Sequence, residues 1–255
     1  MAHPDSINRR SLLGGLACAV LAPGLAFTRD SRVPKLIADA RPLPNLPERI
    51  DHISRALIGS RYRAETLIGG AKKPEVFVTR DDVFDCVTYC EVVIAAAMAR
   101  DISEFEPLLR KIRYRGGVVG WRERNHDFAE WCAQNVANGL CRPVAFDGAV
   151  DVRKVVTWPA ALGRRTYTIK AIPRAVFLKE RAQVSSGDIV GFVSARPALD
   201  YFHCGFAMAG EGGTLKLRHA AQSKRKVSEE PMERFLAAYR VKWVTLLRPQ
   251  EKALA

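Results

Sequence analysis

The stretch Phe84-Asp85-Cys86-Val87-Thr88-Tyr89 places a cysteine at the point where a helix should start. Val87, Cys90, Val93, Ile94, Ala97 and Met98 recur at helical spacing, which predicts one amphipathic helix over Asp85 to Arg100. Asp85 suits the N-cap, and that puts Cys86 in the first turn. Unpaired N–H groups and the positive end of the helix dipole favour a thiolate there over a thiol. A cysteine so placed becomes a nucleophile when a base reaches it. Two later segments supply imidazoles: Asp200-Tyr201-Phe202-His203-Cys204-Gly205-Phe206 and Leu215-Lys216-Leu217-Arg218-His219-Ala220.

Outward from the cysteine helix, Glu48 to Ile58 reads as an amphipathic helix with Ile50, Ile53, Ala56 and Leu57 on one face and Gly59 as its stop. Further helices are expected at Ser103 to Ile112 and at Phe128 to Ala137, the latter ended by Gly139. Short strands at Lys154 to Trp158 and Thr166 to Ile172 are bounded by Pro159 and Pro173. From Gly187 the pattern changes to strands: Ile189 to Val193, His203 to Met208, a hairpin loop at Gly210 to Gly213, and Leu215 to Ala220. A helix near Glu230 to Tyr239 and a strand at Val241 to Leu247 follow. Helices first and an antiparallel sheet afterwards predict an α+β fold. Side chains alternate along a strand, so His203, Gly205 and Ala207 share one face and Cys204 the other, where it should matter for packing and not for chemistry. Leu215, Leu217 and His219 share a face of the next strand, and pairing through the hairpin brings His203 opposite His219. One imidazole then takes the thiol proton while the other fixes its tautomer.

The 255-residue chain divides by sequence into an export signal over residues 1–26, an extended lead-in over 27–47 and one domain over 48–250. Asn8-Arg9-Arg10 followed by the apolar run Leu12 to Leu21 and the small-residue end Gly24-Leu25-Ala26 resembles a cleavable twin-arginine signal. That run is too short to span a membrane, and no later segment reaches roughly 18 apolar residues. The expected location is the periplasm or cell envelope of a bacterium. A formal charge of +13 implies an anionic partner. No helix-turn-helix, zinc-finger or aromatic–basic sheet pattern points to nucleic acid, which leaves a membrane surface, acidic wall polymer or simply a solvated basic surface. Loss of Cys18 with the signal leaves Cys86, Cys90, Cys132, Cys141 and Cys204, an odd set that does not form a disulfide framework.

The series Gly59-x-x-Tyr62, Phe84-Asp85-Cys86, Gly187-Asp188-Ile189-Val190, His203-x-Gly205 and His219-Ala220 resembles, in order, the NlpC-type cysteine peptidases of bacterial cell walls, which have a papain-like fold. Arg113-Tyr114-Arg115-Gly116, Arg124-Asn125-His126 and Trp131 look more specifically like the N-acetylmuramoyl-L-alanine amidase-like branch. The resemblance implies Cys86 as nucleophile, His203 as general base, His219 as the third polar residue and Tyr62 beside the cysteine. It implies a peptidoglycan or muropeptide substrate, cleavage at the N-acetylmuramoyl-L-alanine amide, and no cofactor or metal. Arg124 and His126 would line the substrate cleft, with the arginine forked onto a muramyl-peptide carboxylate, and Asp85 would border it or only cap the helix. The alternatives are a stem-peptide endopeptidase of the same fold, a zinc amidase and a non-catalytic wall-binding module. The zinc enzyme lacks a His-Glu-x-x-His run.

Overall fold

The computed structural model describes residues 31–251. The export segment over residues 1–26 and residues 27–30 of the lead-in lie outside the described residues. The rest of the lead-in is not extended. It holds helix α1 (Val33–Ala40), whose Val33, Leu36, Ile37 and Ala40 are buried in the core. Pro34 looks like a helix breaker in the sequence, but in the first turn it costs no hydrogen bond. The Asp81 carboxylate accepts from the backbone N–H groups of Arg32 and Val33 and so holds this helix start from a distance. Helix α2 (Leu46–Ala56) follows, with Asn45 accepting from Glu48 N–H at its start.

Four short strands come next: β1 (Arg61–Tyr62), β2 (Ile68–Gly70), β3 (Lys73–Val76) and β4 (Val83–Phe84). Helix α3 (Cys86–Met98) begins on the cysteine. It is not amphipathic as expected: every residue from Thr88 to Ala97 is buried. A helix that is apolar all round belongs in the middle of a protein. Its neighbours are α2, α4 (Ile102–Arg113) and the main sheet. Its one buried charge, Glu91, accepts from Arg113 at 2.7 Å and from the Trp131 indole at 3.2 Å. Trp131 lies on α5 (Phe128–Ala137), which ends before Gly139 at a φ of +69°.

The second half supplies β5 (Cys141–Pro143), β6 (Val150–Val156), β7 (Arg165–Pro173), α6 (Arg174–Lys179), β8 (Asp188–Val193), β9 (Tyr201–Ala209), β10 (Leu215–Ala221), β11 (Lys226–Pro231), α7 (Met232–Ala238) and β12 (Trp243–Pro249). The main sheet runs β4-β1-β11-β10-β9-β8-β12-β7-β6, with β5 added on β12, while β2 and β3 pair separately. Its neighbours are antiparallel except β1 and β4. The α+β class expected from the sequence is what the chain adopts. One apolar core joins α1 to α5 to one face of the sheet, through residues such as Cys204, Phe206 and Ala220. A second core joins α6 and α7 to the other face, through Phe192, Ala207, Leu217 and Phe235.

Strand β11 was not foreseen. Lys226-Val227-Ser228-Glu229-Glu230-Pro231 carries too much charge for a period-2 apolar signal, yet it pairs along its whole length with β10. Its charges find partners in the fold, Glu229 on Arg218 and Glu230 on His219 and Lys224. The expected helix near Glu230 therefore starts later, at Met232.

Candidate active site

Register places the first site residues before any side chain is considered. Tyr62 on β1 pairs with Phe84 on β4, two residues ahead of Cys86, so the tyrosine and the start of α3 are neighbours. The Tyr62 phenol is pushed up to about 12 by burial and by the nearby Cys86 and Asp85 charges, so it keeps its proton at neutral pH. Asp85 caps the helix. Its Oδ1 accepts from Thr88 N–H at 2.8 Å, its own N–H donates to Thr88 Oγ1 at 3.0 Å, and its Oδ2 accepts from Thr66 Oγ1 at 3.1 Å. Both carboxylate oxygens are thus engaged within the protein, the N-cap role that the sequence also offered for Asp85.

Cys86 is half-buried at the first helical position, where backbone N–H groups have no partners inside the helix. Its thiol is lowered from the ordinary cysteine range to about 5. The largest cause is a hydrogen bond with Cys204; burial opposes it, and His203 adds a hydrogen bond and favourable charge against a smaller repulsion from Asp85. Cys204 itself is pushed well up by burial and by Cys86 and Cys90, so it stays a thiol and donates. Strand alternation alone predicts Cys204 turned away from the chemistry. Alternation along β9 does put it on the face opposite His203, but that is the face α3 packs on, and the first turn of α3 meets it there. Cys204 is therefore part of the thiol's surroundings.

His203 and His219 are not directly opposite. The β9–β10 register runs through Leu217↔Ala207 and Arg218↔Phe206, which sets His219 against Gly205. A side chain at 205 would stand 2.8 Å from the His219 Cβ, so only glycine leaves His219 room to lean diagonally towards His203. The two rings meet at 2.6 Å, His203 Nε2 to His219 Nδ1. Strand β9 carries an irregularity opposite Phe192 and Val193, and Phe192 lies against both Phe202 and His203 there. The far nitrogen of His219 lies 2.9 Å from Glu230 Oε1, and Lys224 Nζ reaches the same oxygen at 3.0 Å. Burial and the neighbouring His203 lower His219 to about 4, against the opposing pull of Glu230. The pair borders a small cleft of about 90 Å³ walled by Phe202, Ser223, Phe235 and Tyr239. Larger depressions lie elsewhere, including an apolar groove of about 720 Å³ beside Cys132, Val136, Phe146 and Ile169. Size alone does not find this site.

Arg124 and His126 belong to another network. Arg124 donates to Glu75 Oε1 at 3.2 Å, an ion pair with side chains 14% and 2% exposed, and the Tyr114 hydroxyl donates to the same oxygen at 3.0 Å. The carboxylate that Arg124 meets in this structure comes from Glu75 on β3. His126 Nε2 lies 2.6 Å from the Trp121 carbonyl, so that nitrogen carries the proton, and burial lowers its pKa. No described hydrogen bond or ion pair links either residue to Cys86, His203 or His219. Glu230, Lys224 and Cys204 are the site residues that sequence reasoning missed. Only the Glu-Glu-Pro step before a helix hinted at the first.

Among the described residues no group of three or more His, Cys, Asp or Glu side chains is arranged to hold a metal ion. No described helix is long and apolar enough to cross a membrane.

A family model described as N-acetylmuramoyl-L-alanine amidase-like (AmiA-like) matches residues 52–241. The chain belongs to that family. The matched span runs from α2 to the residues just before β12, and so contains Cys86, His203, His219 and Glu230. Among solved structures, a Legionella pneumophila protein superposes with a TM-score of 0.76 at 21% identity, over 88% of this chain and 95% of that one. An N-acetylmuramoyl-L-alanine amidase from Bacteroides uniformis superposes with a TM-score of 0.67 at 23% identity, over 86% of this chain and 100% of its own. At such identities the likeness speaks for the fold of the AmiA-like chain. No curated protein matches it.

Proposed function

We propose that the protein is a thiol-dependent amidase of the bacterial cell envelope that cleaves the bond between N-acetylmuramic acid and L-alanine. The observation that carries this reading is the placement of the Cys86 thiol at a helix start, hydrogen-bonded to an imidazole whose other nitrogen is held by a second imidazole. The Cys86 thiolate attacks the lactyl carbonyl carbon. The negative charge that develops on the carbonyl oxygen falls near the Cys86 N–H, which the helix leaves without a partner. His203, protonated by the thiol, returns that proton to the departing amine of L-alanine. The resulting thioester is opened by water, whose proton goes to His203, and the free acid and the thiolate are regenerated.

Membership of an amidase-like family supports the reaction class, and the name of the Bacteroides uniformis protein supports the choice of bond. The order of motifs supports a papain-like, NlpC-type ancestry. The paired arginines at Arg9 and Arg10 support export, and the +13 charge suits an anionic wall polymer. Mass spectrometry of muropeptides incubated with the purified protein tests the reading. Free disaccharide and intact stem peptide are expected. A cut within the stem would move the bond to an endopeptidase site, and activity lost on chelation and restored by zinc would overturn the thiol mechanism.

A further inference from the structure

We infer that Glu230 is a positioning residue: acting through His219, it decides which nitrogen of His203 is presented to the Cys86 thiol. The inference rests on the roles given above to Cys86 and His203, and adds a residue from a strand that no motif reached.

The arrangement is a row across three adjacent strands. His219 leans from its place opposite Gly205 towards His203, two residues along β9. On the other side, Leu217 faces Glu230 in the β10–β11 register and His219 faces Ser228. His219 therefore reaches Glu230 by a second diagonal step on the same face. One line of contacts results: Lys224 Nζ to Glu230 Oε1 at 3.0 Å, Glu230 Oε1 to His219 Nε2 at 2.9 Å, and His219 Nδ1 to His203 Nε2 at 2.6 Å.

The direction of every hydrogen bond in this row follows from the carboxylate. Burial pushes the Glu230 carboxyl up, but the bonds from Lys224 and His219 outweigh it and keep it ionised. An ionised carboxylate only accepts, so His219 Nε2 must carry its proton. A neutral His219 then has a bare Nδ1 that accepts, and the 2.6 Å contact requires the proton on His203 Nε2. Neutral His203 is left with its lone pair on Nδ1, the nitrogen free to take the thiol proton. Once it does, Nε2 still donates to His219 and the row stays intact. Without the carboxylate, His219 is free to move its proton to Nδ1. That reverses the imidazole–imidazole bond, forces the His203 proton onto Nδ1, and blocks the base on the side facing Cys86. Lys224 holds the same oxygen that His219 uses, so a carboxamide at 230 would be turned with its carbonyl in that place.

The test combines ¹⁵N NMR of the histidine rings with kinetics on a defined disaccharide-peptide, for the wild type, Glu230→Met, Glu230→Gln and the neighbouring control Glu229→Gln. The wild type should show neutral His219 as the single Nε2–H tautomer near neutral pH, with the His203 Nε2 carrying a proton whether or not Nδ1 has taken the one from the thiol. Glu230→Met should give mixed tautomers and a kcat/KM lower by roughly 10- to 100-fold, the size expected for a lost bond to a charged group. Glu230→Gln should keep the tautomers and most of the activity. Glu229→Gln loosens Arg218 on the other face and should lower the melting temperature with no change in the ring spectra. An Nδ1–H tautomer of His219 in the wild type, or Glu230→Met with unchanged tautomers, would overturn the inference whatever the activity. If the tautomers behave as stated and no muropeptide is hydrolysed, the amidase reading fails while the positioning role stands.

Discussion

His219 and His126 are both partly or fully buried imidazoles lowered by burial, yet they serve different ends. His126 finishes on a backbone carbonyl, stacks edge-on against Trp121 at 4.7 Å, and closes a loop. His219 stands between a second imidazole and a carboxylate, and each of its nitrogens sets the state of a neighbour. The same contrast separates the cations and carboxylates of the two regions. Arg124 and Glu75 neutralise each other at a near-buried contact, whereas Glu230 is shared by Lys224 and a histidine that points on towards the thiol. A buried titratable group becomes chemical equipment when its second hydrogen bond leads to a reactive atom. It is scaffolding when that bond ends on the backbone.

The largest effect expected on this contrast is at its reactive end. Cys86→Ala should reduce hydrolysis by at least roughly 10,000-fold with the melting temperature little changed, and His203→Ala should come close to it. Turnover measured beside thermal melting checks this, and residual activity near the wild type would dissolve the distinction between the two regions. Next in size, His219→Gln should cost roughly 10- to 150-fold in kcat/KM, because one hydrogen bond to a group that becomes charged is lost. His126→Gln should stay within about twofold, as a change away from the chemistry does. Equal losses at both histidines would erase the comparison.

The thiol's pH dependence sharpens it further. Cys86 reacts as the thiolate, so iodoacetamide alkylation should rise with pH through a midpoint near 5 and be flat above it. Cys204→Ala removes the hydrogen bond from the buried thiol and should move that midpoint upward by about one to two pH units. An unmoved midpoint would mean that His203 and the helix start suffice. The smallest catalytic effect is assigned to Arg124. Arg124→Ala leaves the Glu75 carboxylate short of its cation and should lower stability by about 1–3 kcal/mol, with kcat/KM of the folded protein unchanged. A raised KM at unchanged stability would return Arg124 to the substrate cleft.

How much of this was legible depended on how local the signal was. The start of α3 could be read from Asp85 and the spacing behind it, and α5 was bounded by Phe128 and Gly139 as the sequence suggests. The hairpin of β9 and β10 followed from alternation and from its glycines. α1 was hidden by Pro34, whose meaning depends on whether it stands inside a helix or at its entrance. β11 was hidden because its glutamates look solvated until Arg218, His219 and Lys224 are placed beside them. The partner of Arg124 was hidden for the same reason: a sequence shows a charge and its neighbours along the chain, while Glu75 lies 49 residues away.

The sequence by itself determined that a cysteine starts a helix, that two histidines sit on neighbouring strands, and that the chain mixes helices with a largely antiparallel sheet in its second half. These are consequences of period, capping and alternation, which act over a few residues. Only the tertiary structure decided that Cys204 faces the nucleophile, that His219 meets His203 across Gly205 on a diagonal, and that a glutamate from an unforeseen strand completes the row. Those contacts come from strand order, register and the packing of α3 on the sheet. They join residues far apart in the chain, and no local preference specifies them.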